Sequence, residues 1–174
     1  MNPVKIGGLL SLGIAAAYLG IAVNERRRGM EGLGQPEIDI RHKITDIARA
    51  EVGLQDPSKY WSGVLDSGPP YPPHWCGGFA LWVLKQAGIA ANTMWEIGKG
   101  FCYNLPVIKS PKPGDIAYFE RLQHHAIVES VSPDGLTVLT IDGNQKPGES
   151  VSVRVRSVAS VTAFFSIDPL LTQA

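Results

Sequence analysis

At "KSPKPGD", residues 109–115, the hydrophobic period of the chain changes. Before it, Ile40, Ile44, Ile47, Ala48 and Val52 recur at spacings of three and four, and Phe79, Val83, Leu84 and Ala87 do so again. That is the spacing of helices with one buried face. After it, "DIAYFE", "HHAIVESV", "LTVLTID", "VSVRVRSV" and "VTAFFSI" are short runs rich in Val, Ile, Thr and Phe, separated by Pro, Gly, Asp and Asn turns. Such runs predict strands, and "SPDG" predicts a hairpin between the second and third. Helices followed by an antiparallel meander imply an α+β fold, with the N-terminal helices packed on a five-stranded antiparallel sheet.

The helical half divides further. The first helix runs from Ile38 and is ended by Gly53; the second runs from about Cys76 to Ala87 and is closed by Gly88. Between them "LQDPSKYWSGVLDSGPPYPPH" reads as a long loop, a feature that is usually functional in a compact domain. "NTMWEIGKGF" is a candidate short third helix.

Residues 6–23, "IGGLLSLGIAAAYLGIAV", carry no charge and are followed by "NERRRG". As a helix this stretch is about 27 Å long, at the lower edge of what crosses a bilayer core of roughly 30 Å. It reads as a single transmembrane anchor, with a secretory signal as the competing reading. The arginines on its C-terminal side lean the following domain toward the cytoplasm. The expected organisation is an anchor or signal at 1–25, a linker at 26–37, the folded domain at 38–168 and a tail at 169–174.

Sixteen Lys plus Arg balance sixteen Asp plus Glu, so the chain lacks the basic footprint of a nucleic-acid binder. Its two cysteines are too few for a disulfide framework, and no Cys/His spacing suggests a metal; no cofactor is expected. Cys76 stands at the start of an apolar helix, where amide dipoles favour a thiolate. Cys102 has no such company and reads as a packed residue, although a Cys76–Cys102 disulfide would silence the first thiol.

A nucleophilic cysteine needs a base, and the base needs a group to fix its tautomer. His42, between Arg41 and Lys43, reads as a surface residue; His74 lies in the proline-rich loop two residues before Cys76. His124 and His125 open the second strand on opposite faces, and alternation alone does not say which face meets the helix. The third strand ends in "TIDGNQ", where Asp142 and Asn144 share one face by the same period-two argument. Either could hold the imidazole.

The order Trp-Cys opening a helix, Pro-x-x-Gly-Asp before a strand, then "HHAIV" and "GNQ", resembles the CHAP branch of the NlpC/P60-like cysteine peptidases and amidases. His124 lies 48 residues after Cys76, and Asn144 a further 20. The resemblance covers about residues 38–167 and implies a papain-like fold and a catalytic set of Cys76, His124 and Asn144, with Asp142 in reserve. Tyr71, His74, Trp75 and Gly77 are candidates for substrate binding or the oxyanion hole. Gly77 and Gly78 depart from the Ala, Thr or Ser usual after the cysteine, which would widen the pocket. Trp61, Trp75, Trp82 and Trp95 read as core and loop-packing residues, and Asp115 as a turn residue at the strand entry.

The resemblance further implies bacterial peptidoglycan as partner and substrate, cut at the sugar–peptide amide or within the stem peptide. A wall hydrolase tethered to a bilayer through residues 6–23 would suit phage lysis, virion entry or bacterial remodelling. The competing expectations are a non-catalytic membrane-anchored assembly protein with this fold, and an acyltransferase or peptidase acting elsewhere.

Overall fold

The computed structural model describes residues 30, 32–65, 70, 71, 73–90, 105–145 and 149–171. Helix α1 spans Gln35–Ala50, α2 Pro57–Ser62 and α3 Cys76–Ala87. The strands are β1 Val107–Ile108, β2 Ile116–Phe119, β3 His124–Val131, β4 Thr137–Gln145, β5 Ser150–Ser157 and β6 Ala163–Phe165; a short helix, α4, follows at Asp168–Leu171. The architecture is α+β, as the change of period implies.

Three details depart from the sequence expectation. The antiparallel sheet has six strands, in the order β1-β6-β2-β3-β4-β5, because residues 107 and 108 pair with Phe165 and Phe164 at the edge. The stretch expected as a long loop contains α2, which Asp56 caps by accepting the Lys59 N–H at 3.0 Å, with Pro57 at the first helical position. And α1 ends at Ala50, so Val52 is not on its buried face; Gly53, at φ 91°, donates its N–H to Val151 and joins the helix end to β5. The candidate helix at 92–101, Trp95, Cys102 and residues 6–23 lie outside the described residues. Among the described residues no helix is long and apolar enough to cross a membrane.

Helix α3 is apolar nearly all round, because α1 and α2 cover one side of it while β3 and β4 cover the other. Tyr60, Trp61, Phe79, Leu84, Ile116, Ile127 and Ile141 belong to this main core. The opposite sheet face carries a second, smaller cluster that includes Ala117, Phe119, Ala126, Val128 and Val138. The buried Arg41 ties α1 to the sheet entry: it donates to the Pro113 carbonyl at 2.6 Å and to Asp115 at 3.1 Å, and also pairs with Asp168. Asp115 in turn accepts the backbone N–H groups of Lys112 and Ile167. It closes a turn, as its place in the sequence suggests, but as one partner of a buried ion pair.

Candidate active site

Cys76 is the first residue of α3, and among the described residues no side chain caps that helix. The amides of its first turn are therefore not taken up by a capping group, and their dipoles lie under the thiol. Close contacts at two glycines seat α3, one against the sheet and one against α2. A Cβ at Gly143 would stand 2.7 Å from the Phe79 Cβ and 2.9 Å from the Trp75 ring. A Cβ at Gly78 would stand 2.9 Å from the Trp61 ring. The glycine expected to widen a pocket is thus filled by an indole, and its role is to seat α2 against α3.

The thiol meets the start of β3. Gln123, at φ 46°, turns the chain out of a 3-10 turn at Glu120–Leu122, and its carbonyl lies 3.9 Å from the Cys76 Sγ. Burial pushes the Cys76 thiol up, but the His124 side chain and its charge, with the neighbouring His125, outweigh it and bring it down to about 5. Burial pushes His124 down, whereas its hydrogen bonds and charge interactions with Asp142 and Cys76 carry it up to about 9. Between those values the pair is a thiolate and an imidazolium. The pair is almost closed to solvent, with Cys76 4% and His124 6% exposed.

The His124 Nε2 lies 2.8 Å from an oxygen of the fully buried Asp142, which leaves Nδ1 for the sulfur. Burial disfavours the Asp142 charge, but His124, Arg156 and the Thr140 hydroxyl hold its carboxyl below the usual carboxylate range. Both the Arg156 guanidinium and the Thr140 hydroxyl donate to it. Arg156 is held in place by the Phe119 ring, whose centroid lies 4.5 Å from the guanidinium carbon. The same ring stands 5.9 Å from the imidazole of His124, its cross-strand partner.

The residues read from the sequence thus separate. Cys76 and His124 come together, and the carboxylate on His124 is Asp142, the reserve candidate. Asn144 does not continue the row of Asp142, because the β4–β5 register shifts between Asp142 and Gln145 and Asn144 takes φ 59°. Trp75 is buried and stacks on Tyr60 at 5.1 Å, with Gly77 buried beside it; Tyr71 is half-buried and His74 exposed. His125 is buried beside Tyr118, and its closeness helps to lower the thiol, an influence that alternation alone does not show. Arg156 and Thr140 were missed as well. The alternating Val and Arg of "VRVRS" was the available signal, since a strand that places arginines on a sheet face needs anions there.

No curated protein and no solved structure matches the chain. The CHAP domain family model matches residues 66–144, a stretch that begins ten residues before Cys76 and ends at Asn144. CHAP domains are commonly hydrolases, amidases or peptidases. Over residues 66–144 the chain is thus similar to the CHAP domain family, and Cys76, His124 and Asp142 lie within that stretch.

Proposed function

We propose that the protein hydrolyses an amide bond of bacterial peptidoglycan through a thioester on Cys76. The observation that carries this reading is the line from the Cys76 thiolate through His124 to Asp142, with its 2.8 Å Nε2–carboxylate hydrogen bond. The thiolate attacks the amide carbonyl, and the Cys76 N–H at the helix start helps to hold the oxyanion. His124 gives its proton to the leaving amine, which departs and leaves a thioester. The now neutral imidazole takes a proton from water, the resulting hydroxide attacks the thioester, and the acid product leaves as the thiolate and imidazolium are restored. Asp142 stays ionised throughout and fixes the ring.

The bond is either the N-acetylmuramoyl–L-alanine amide or one within the stem peptide. With residues 6–23 as an anchor, the enzyme works from a bilayer, in a bacterial inner membrane or a virion, and its domain reaches the wall side.

The test is digestion of purified sacculi with the full-length protein. Mass spectrometry of the soluble products should show new amino groups without new reducing sugar ends, and Cys76→Ala should release none. Absence of release by the wild type, or release by Cys76→Ala, would overturn the reading. The first result would favour the non-catalytic assembly role.

A further inference from the structure

A cavity of about 370 Å³ adjoins the His124–Asp142 pair and is lined by Phe119, Arg121, Leu122, Arg156, Ser160 and Thr162. Two of its walls belong to the site already described: Phe119 packs on the His124 ring, and Arg156 binds Asp142. A second cavity, of about 320 Å³, lies by Trp75, next to Cys76, and includes Tyr71 and Glu149 in its lining. The two differ in charge. Among the described residues the first is lined by two guanidinium groups and no carboxylate, and the second has Glu149 and no cation.

The two arginines are not equivalent. Arg156 faces a matching charge in Asp142 directly beneath it. Arg121 is exposed on the 3-10 turn, lines the cavity, and has no ion pair among the described residues. Thr162 Oγ1 accepts the Glu120 N–H at 2.9 Å, which leaves its own hydrogen to donate. Leu122, 65% exposed, forms an apolar lip. A guanidinium with no ion pair among the described residues, a spare hydroxyl donor and an apolar lip suit a carboxylate carried on a short peptide.

Chemistry fixes which part of a substrate arrives there. The group that protonates a leaving nitrogen must lie within hydrogen-bond reach of it, so whatever is attached to that nitrogen emerges beside His124. We propose that this cavity is the leaving-group subsite, and that it selects peptides whose departing amine segment bears a free carboxylate, bound by Arg121 and Thr162. The proposal rests on the hydrolase reading above and adds to it the chemical class of the departing product.

The test compares kcat/KM on sacculi whose stem-peptide carboxylates are free with kcat/KM on sacculi in which they are converted to amides, each variant serving as its own reference. The wild type should prefer the free acid about tenfold, a modest value for a charge-assisted hydrogen bond at an open cavity. Arg121→Gln should bring the ratio near one, Arg121→Glu should invert it, and Arg121→Lys should keep most of it. Equal turnover of both preparations by the wild type, or an unchanged ratio in Arg121→Glu, overturns the subsite while leaving the hydrolase reading intact. No turnover of either preparation by the wild type overturns both.

Discussion

Replacing Asp142 with Asn changes one charge at nearly constant volume, and the site gives the size of the effect. His124 is raised from its ordinary 6.5 to about 9 against the opposing pull of burial. At 1.36 kcal/mol per pH unit this is roughly 3 kcal/mol in favour of the imidazolium, supplied by Asp142 and the thiolate together. If Asp142 contributes about half of that rise, its loss lowers His124 by about one pH unit. It also weakens the ion pair that holds Cys76 at about 5.

The sign follows from which form of each group works. Activity needs the thiolate, present above about 5, and the imidazolium, present below about 9. The wild-type kcat/KM profile should therefore be a plateau with an acid limb near 5 and a basic limb near 9, read as values of the coupled pair. Asp142→Asn should move the basic limb down by about one pH unit and the acid limb up. It should also lower kcat/KM at pH 7 by tenfold to about a hundredfold, because the ring loses its charged acceptor and can meet an amide N–H instead. Asn144→Gly is the control, since glycine accepts the φ of 59° without strain and removes only the side chain. Both limbs should stay in place in that variant. A shifted basic limb in Asn144→Gly with an unshifted one in Asp142→Asn would refute the assignment of Asp142.

Alkylation by iodoacetamide should modify Cys76 at pH 6 far faster than Cys102, and the Cys76 rate should rise with a midpoint near 5 as the thiolate forms; a midpoint above 8 would remove the ion pair from the account. Gly143→Ala should lower both stability and activity, because its Cβ would stand 2.7 Å from that of Phe79 and push the start of α3 off β4. The cost in urea titrations should be about 1–3 kcal/mol, the usual range for overpacking, and an unchanged midpoint would contradict the close approach. Full-length protein should remain with membranes through alkaline carbonate, and a mature N-terminus near residue 24 by mass spectrometry would instead identify a cleaved signal.

The parts of this molecule legible in the sequence are those fixed by neighbours along the chain. Cys76 opens its helix and Gly88 closes it, at φ 94°, where local rules put them. The five runs of β-rich sequence are five of the six strands. Strand β1 was not legible because two residues show no alternation, and Val107–Ile108 are a strand only by virtue of the edge they pair with. Helix α2 was legible and overlooked: Asp56 followed by Pro57 is a helix-start signal, obscured by the prolines farther on.

The site itself was harder for a different reason. A period of two separates buried from exposed positions only when one face of a sheet is wet, and β3 is covered on both. Ile127 packs toward the helices, while Ala126 and Val128 lie in the second cluster, so every residue from His124 to Ser130 is buried. The run could show that His124 and His125 face opposite ways, but not that His124 is the one that meets Asp142 at the end of the strand. Alternation failed again four residues from the end of β4: it assigned Asp142 and Asn144 to one row, and the register shift after Asp142 ends that row at the carboxylate. The group that stabilises that carboxylate, Arg156, is fourteen residues farther on and one strand away. Only the sheet brings it under His124, so a chain of proton-transfer and charge partners running Cys76, His124, Asp142, Arg156 is a property of strand pairing, and substitutions that shift the β4–β5 register should disable it without altering any of the four residues.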